Sequence, residues 1–296
     1  MRRWLKILVA AGKSWNADNA FQHSAAVSFY TLFSLAPLTI IGVGLAGLVL
    51  GKERATRQFS AQMTQLVGRE GAQAIQATLD AAASSPHANR VSAAIGLIIL
   101  LVGATSVFGQ LQDSLNEIWS VRAAPRRSGL TVFLLQRLLS FGMVVTVGFL
   151  LLVSLLLTTA LEAMVRTADG GFRLPPLALQ GIEFGVALIV ITVLFSAFFK
   201  ILPDVQLPWS GVWPSALLTA VLFSIGRILI ATYLAHSTVA SVYGAAGSLV
   251  ALLVWVYYSC SIMFFGVEVI RSDRSLRRLP VKPKKMAVLI RQEIIR

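Results

Sequence analysis

Six long apolar segments dominate the 296 residues of this chain. Each one reaches the ~20 residues that a helix needs to cross the ~30 Å hydrocarbon core of a bilayer. A water-soluble domain of this length has no use for six such segments. The pattern therefore predicts an all-α integral membrane protein with six transmembrane helices. The predicted spans are Ser24–Leu50, Val91–Leu111, Leu138–Leu161, Leu179–Phe199, Gly211–Leu234 and Gly244–Ile270.

The distribution of basic residues predicts how these spans are oriented. The chain carries 26 Lys and Arg residues against 13 Asp and Glu residues. Most basic residues outside the spans fall in segments 1–23, 112–137, 200–210 and 271–296. Because cytoplasmic segments of membrane proteins carry the excess of Lys and Arg, both termini are predicted to be cytoplasmic. Anionic lipid headgroups then account for the net charge of +13, and a nucleic-acid partner is not expected.

Three segments outside the spans have predicted structures of their own. Residues 1–20 are predicted to form an amphipathic interfacial helix, with Trp4 and Trp15 at headgroup depth. Residues 52–90 place apolar side chains at helical spacing, which predicts an amphipathic helical hairpin on the outer face. The predicted organisation is a membrane domain over residues 1–270, followed by a basic cytoplasmic tail over residues 271–296. The tail is expected to be helical near residues 288–295 and flexible elsewhere.

Polar groups near the first two spans distinguish them from simple lipid-facing anchors. Polar side chains share the first half of the first span with aromatic residues and predict a face turned to the protein interior. They are Gln22, His23, Ser24, Ser28, Thr31 and Ser34. Pro37 is expected to kink this helix. Beyond the second span, residues 110–119 place Leu111, Leu115, Ile118 and Trp119 on an apolar stripe and Gln112, Asp113, Asn116 and Glu117 on the polar remainder. They are either the same helix continuing into the cytoplasm or a short re-entrant or interfacial helix.

The sequence shows no arrangement of residues typical of an enzyme. It contains no G-x-S-x-G, H-E-x-x-H, Walker A or C-x-x-C motif. Its single cysteine, Cys260, lies within the last span, and neither His23 nor His87 has metal-ligand spacing. We therefore expect no enzymatic activity, no cofactor and no bound metal.

Arg227 is the first candidate for a functional group, because ionisable side chains in hydrocarbon are costly. If the fifth span begins near Gly211, Arg227 lies ~24 Å along it at 1.5 Å per residue. Glu183 lies about two turns inside the fourth span, within reach of a pair with Arg227. Three interpretations stay open for Arg227: a structural ion pair, a cationic site in a water-accessible cavity that binds an anionic group, and a snorkelling side chain.

Four further carboxylates have simpler interpretations. Glu268 lies one turn before Arg271 and is expected to be solvated or paired with it. Asp113 and Glu117 form an i, i+4 pair on a polar helix face. Asp204, between two prolines, is expected to cap a turn.

Several motifs resemble the YihY/virulence factor BrkB family of bacterial inner-membrane proteins, once labelled ribonuclease BN. These motifs are Ala25–Pro37 (AAVSFYTLFSLAP), Gly109–Trp119 (GQLQDSLNEIW), Leu202–Pro208 (LPDVQLP), Gly226-Arg227, Val242–Ser259 (VYGAAGSLVALLVWVYYS) and Gly266–Glu268. Val267 departs from the pattern, where a small residue is expected. The resemblance implies a bacterial inner-membrane protein of envelope integrity. Nuclease activity is not expected, because no acidic cluster could hold two metal ions.

The resemblance and the charged positions together give a set of candidate substrate-binding residues. They are Arg227, Glu183, Tyr30, Gln110, Asp113, Asn116, Asp204, Tyr243 and Glu268. Family members have been tied to the movement of lipid or lipopolysaccharide intermediates, which implies membrane lipids as partners. A lipid-transfer protein of the envelope is a further expected partner, on the outer face.

Three functions are compatible with these residues. The leading hypothesis is transport or transfer of a phospholipid or another anionic lipid, with its headgroup near Arg227 in a lateral, lipid-accessible cavity. The second is a scaffold that docks envelope proteins through the hairpin between the first two spans. The third is a small-solute or ion transporter, which predicts a polar path from Glu183 through Arg227 to Glu268. The small number of intramembrane charges argues against an ion-coupled pump.

Overall fold

A computed structural model describes residues 2–34, 90–123, 138, 142, 176–236, 247–284 and 287–290 of the chain. The predictions for the third span, the hairpin at 52–90, the kink at Pro37 and the candidate Tyr243 lie outside these residues. The elements are α1 (Arg2–Ala17), α2 (20–34), α3 (Arg90–Ile118), β1 (Val121–Ala123), α4 (Pro176–Ile201), α5 (Trp209–His236), α6 (Gly247–Leu276) and β2 (Ala287–Leu289).

Three of the described helices are long and apolar enough to cross a bilayer. Their apolar windows are Phe184–Ile201, Trp209–Ile230 and Leu252–Leu276, with mean hydropathies of 2.4, 1.6 and 1.7. They coincide with the fourth, fifth and sixth predicted spans. The chain is therefore a mostly helical membrane protein with at least three membrane-length apolar helices. The count of six spans and the orientation stay predictions.

Helix α6 packs against α4 and α5 through a contact that only glycine allows. A Cβ placed on Gly266 would lie 2.1 Å from Thr219 Oγ1 on α5 and 2.8 Å from Phe199 Cζ on α4. Thr219 and Phe199 are both buried. The missing side chain lets the three helices approach closely, as small residues do in membrane bundles. Val267, which departs from the family pattern, is buried in the same core.

Helix α1 runs antiparallel alongside the last turns of α6. Side chains at four-residue spacing on the two helices meet in sequence: Arg3 with Asp273, Ile7 and Ala11 with Val269, and Trp15 with Phe265 and the Ser261 carbonyl. This spacing forms one stripe along each helix. The predicted amphipathic helix is thus present, with one face packed on α6. Trp4, Leu5 and Val9 remain exposed.

The serines of the first span turn inward, as predicted. Ser24, Ser28 and Ser34 are all buried. Ser34 Oγ lies 2.8 Å from Ser106 Oγ on α3, and Ser261 Oγ on α6 donates to Ser24 Oγ at 3.0 Å. Ser24 and Ser34 therefore each join α2 to another helix, whereas Ser28 Oγ donates to the Ala25 carbonyl within α2.

Helix α3 settles the alternatives for residues 110–119. It is continuous over its 29 residues, about 43 Å at 1.5 Å per residue. The second span therefore continues as the same helix. The helix ends at Ile118, and the φ of 52° at Ser120 turns the chain away from the helical path. The apolar stripe is buried, and so are Gln112 and Asn116, which were expected on the polar face.

The tail folds back on the bundle. The last helix continues past Ile270 to Leu276, and β2 then pairs antiparallel with β1, joining Val121 to Leu289. The predicted helix near 288–295 is wrong where the structure describes it, because Ala287–Leu289 is a strand. The expected flexibility of the preceding residues is also wrong. The Gln206 N–H donates to the Lys282 carbonyl at 2.8 Å, and the Lys284 N–H to the Asp204 carbonyl at 2.9 Å.

Most segments that connect or follow the described helices lie at one end of the bundle. Residues 2–4, 119–123, 200–211, 271–284 and 287–290 meet there, and we refer to this region as the basic end. The distribution of Lys and Arg predicts that it faces the cytoplasm.

Candidate functional site

Two reciprocal hydrogen bonds hold the turn between α4 and α5 to the end of α3. Asn116 Nδ2 donates to Asp204 Oδ2 at 2.9 Å, and the Asp204 N–H donates to Asn116 Oδ1 at 2.8 Å. Asn116 is buried, so the pair lies within the protein. Asp204 lies in this turn and pairs with a side chain 88 residues away in the sequence, while its role as a cap of the turn stays a prediction.

Asp113 lies one turn before Asn116 and shares its surroundings with Asp204. Although Asp113 is partly exposed, nearby atoms desolvate its carboxyl and raise its pKa, and the Asp204 carboxylate raises this pKa further. The structure therefore brings three predicted candidates together: Asp113, Asn116 and Asp204.

Two lysines complete this polar cluster. Lys284 Nζ donates to the Ile201 carbonyl at 2.9 Å, and Lys200 Nζ donates to the Leu207 carbonyl. Burial lowers the pKa of Lys284, the Asp204 carboxylate opposes that change, and the Lys200 ammonium adds to it. Both ammonium groups donate to the backbone of the turn. The hydrogen bonds of this cluster therefore hold together α3, the α4–α5 turn and the tail.

Glu268 lies in a second cluster, which joins α1 to α6. Its side chain is fully buried, and its Oε1 lies 3.4 Å from Arg271 Nη1. The same Arg271 nitrogen pairs with Asp18 at the end of α1. The other carboxylate oxygen, Glu268 Oε2, is buried and has no hydrogen-bond partner among the described residues. One guanidinium therefore compensates two carboxylates.

The predicted pair of Glu268 with Arg271 is present, but its burial was not predicted. Asp18 was missed altogether, as were Lys200 and Lys284. The only signal in the sequence was the position of Asp18, an acidic residue in a strongly basic N-terminal segment. Its pairing with a residue 253 positions later has no local signature.

Arg227 lies apart from both clusters, near the far end of α5. It is exposed, and so are its neighbours Ile225, Ile228 and Leu229. Gly226, about 100° around the helix from Arg227, is buried and packs on Tyr258 of α6, whose ring an added Cβ would overlap. Since successive helix positions differ by about 100°, this contact fixes Arg227 on the outer surface of the described bundle.

The remaining candidates lie at separate places. Tyr30 is exposed on α2, and Gln110 Nε2 donates to Ser114 Oγ at 3.4 Å on α3. Glu183 belongs to α4, but its side chain is not among those that the structure describes, so its pairing with Arg227 stays a prediction. The described residues do not join Tyr30, Arg227 and Glu268 into one site.

Comparisons with known proteins agree with a helical membrane protein of this kind. The family model described as Virulence factor BrkB matches residues 11–287. The chain belongs to this family.

Curated relatives are bacterial proteins named UPF0761 membrane protein. The Nitrosospira multiformis protein is 30% identical over 271 residues, covering 88% of this chain and 58% of the relative. The Stenotrophomonas maltophilia (strain K279a) protein is 26% identical, covering 90% and 60%. The chain thus spans about three-fifths of the length of these relatives. No solved structure matches the chain.

Proposed function

We propose that this protein binds an anionic membrane lipid at Arg227 and moves it, or helps to transfer it, across or out of the bacterial inner membrane. The observation that carries the proposal is a guanidinium on the outer surface of an apolar, membrane-length helix. Arg227 is exposed, and three exposed apolar side chains surround it. It forms no ion pair with any side chain that the structure describes.

The physical reason is the cost of a cation next to hydrocarbon. A charged side chain within a transmembrane segment is destabilising unless it finds a counter-charge, water or a polar headgroup. A lipid phosphate supplies both negative charge and hydrogen-bond acceptors, and guanidinium binds phosphate through two parallel N–H groups. The Gly226–Tyr258 contact holds the rotation of α5, so the guanidinium is presented outward to the lipid.

The hypothesis from the sequence places the headgroup in a lateral, lipid-accessible cavity near Arg227. The exposure of Arg227 supports this approach of a lipid from the side. The bacterial membrane proteins that resemble the chain are consistent with a role in the envelope. Transport without enzymatic chemistry remains part of the proposal.

Native mass spectrometry of gently solubilised protein tests the binding step. We expect the wild-type protein to retain an anionic phospholipid at Arg227 and Arg227→Ala to bind this one lipid on the order of tenfold more weakly, because a charge-assisted contact is lost. Arg227→Lys preserves the charge and should keep part of the binding. Lys6→Ala removes an exposed cation from α1 and is the matched control.

Equal lipid retention by the wild type and Arg227→Ala would remove Arg227 from the mechanism. Equal losses in Arg227→Ala and Lys6→Ala would show general electrostatic adsorption without a site.

A further inference from the structure

A cavity of about 270 Å³ lies at the basic end, between the start of α5 and the last turns of α6. Its lining includes Ser210 and Gly211 from α5, Arg274 and Arg277 from α6, and Trp4 from α1. Ser210 and Arg227 are about 26 Å apart along α5 at 1.5 Å per residue. The cavity is therefore separate from the site proposed above.

The side chains around this cavity carry an excess of positive charge. Asp273, which also lines it, is already compensated by Arg3 at 2.7 Å and by Arg277 at 3.0 Å. Arg274 forms no ion pair with any described side chain. Its Nη2 donates to the neutral Pro280 carbonyl at 2.7 Å, which holds the guanidinium in place without neutralising it.

A further observation on Arg274 points to a missing acceptor. Its Nε is buried and has no hydrogen-bond partner in the described part of the chain. A buried donor without an acceptor is destabilising, more so when it belongs to a charged group. The guanidinium thus keeps both its charge and part of its donor capacity for another molecule.

The start of α5 adds the partial positive charge of a helix N-terminus to the same cavity, although the Gly211 N–H itself already donates to the Pro208 carbonyl at 3.1 Å. The first N–H groups of a helix have no acceptor within the helix, and they carry partial positive charge. Gly211 keeps the approach to them open, since it adds no side chain to the wall. A Cβ at this position would meet only Pro208, at 3.6 Å.

Aromatic residues place this cavity at the depth of lipid headgroups. Trp4, Trp209 and Trp213 surround the start of α5, and each is between 43% and 49% exposed. Tryptophan is enriched at membrane–water interfaces, where the ring lies among the headgroups. We propose that the cavity binds the phosphate group of an anionic ligand, and that an anionic phospholipid of the adjoining leaflet supplies it. The proposal does not depend on lipid movement or on Arg227.

The test uses the whole protein in nanodiscs of phosphatidylcholine with and without phosphatidylglycerol. Bound phosphatidylglycerol is counted by native mass spectrometry after release. Arg274→Gln removes the uncompensated charge, and Arg278→Gln is the matched control, an exposed arginine four residues later that does not line the cavity. Gly211→Leu fills the cavity while leaving every charge in place. A parallel titration with inorganic phosphate distinguishes a lipid headgroup from a soluble anion.

We expect Arg274→Gln and Gly211→Leu each to lose one bound phosphatidylglycerol per protein, through binding at this cavity that is about tenfold or more weaker, while Arg278→Gln retains the wild-type number. Arg227→Ala should still retain one phosphatidylglycerol, bound at this cavity. Competition by inorganic phosphate at millimolar concentration would support the phosphate site and identify a soluble source. Equal retention by Arg274→Gln and Arg278→Gln, or wild-type protein that binds neither ligand, would overturn the proposal. If Arg274→Gln fails to fold, Gly211→Leu decides between these outcomes.

Discussion

Arg271→Ala is expected to lower the free energy of unfolding by about 3 kcal/mol, because it leaves the buried Glu268 carboxylate without its cation. Asp18 loses the same partner, so two carboxylates at the α1–α6 junction would face each other uncompensated. We expect α1 to detach first, since this junction joins it to the last helix. Thermal unfolding in detergent measures the effect, as a fall in Tm on the order of 5–10 °C.

A double variant separates charge from lost packing. The double variant Arg271→Ala with Glu268→Gln also removes the buried Glu268 charge that the single variant leaves without a cation. Most of the lost stability should therefore return. Glu268→Gln alone should have a small effect, because Arg271 keeps Asp18 and Glu268 Oε2 has no partner among the described residues. A double variant as unstable as Arg271→Ala would contradict this account of the junction.

Gly266→Ala is expected to lower the free energy of unfolding by an amount similar to that of Arg271→Ala, because the added methyl group overlaps neighbouring side chains. The added Cβ would lie 2.1 Å from Thr219 Oγ1 and 2.8 Å from Phe199 Cζ, so α6 must move away from both neighbouring helices. Thr219 and Phe199 are buried and have little room to shift. Overpacking of a tight core costs about 1–3 kcal/mol, and we expect the upper end here.

The control for this effect is Gly185→Ala on α4, where an added Cβ meets nothing within 4 Å. This substitution should leave stability unchanged or raise it by about 0.5–1 kcal/mol, as alanine does in place of glycine in a helix. Comparable Tm values for Gly266→Ala and Gly185→Ala would show that α6 does not need the close approach at Gly266.

Local patterns in the sequence predicted much of the helical structure. The apolar windows of α4, α5 and α6 coincide with predicted spans because length and hydropathy are local properties. The inward face of α2 was visible in the placement of Ser24, Ser28 and Ser34. The ion pair of Glu268 with Arg271 followed from their spacing on one helix.

Contacts between distant residues could not be predicted in this way. Asn116 and Asp204 are 88 residues apart, and Asp18 and Arg271 are 253 apart. Periodicity gives the face of a helix but not the partner that covers it. For this reason Gln112 and Asn116 were expected on a wet face, although the folded tail and the α4–α5 turn cover this end of α3. The tail itself was expected to be helical because its pairing with β1 has no local signal.

The role of Arg227 could be predicted from the sequence only in part. The free-energy cost of a charged side chain in an apolar helix made Arg227 a candidate, but the sequence did not give the direction of this side chain. The buried contact of the preceding Gly226 with Tyr258 provides that direction. The outward position favours lipid contact from the side, and it makes Arg227 accessible to a direct functional test.

Movement of labelled phosphatidylglycerol in proteoliposomes tests the central claim most directly. Purified protein is reconstituted, and the fraction of label that reaches the outer leaflet is followed by chemical quenching. We expect the wild type to move lipid faster than protein-free vesicles, Arg227→Ala to be on the order of tenfold slower, and Lys6→Ala to match the wild type. A wild-type rate equal to that of empty vesicles, or an unchanged rate in Arg227→Ala, would contradict lipid movement through Arg227.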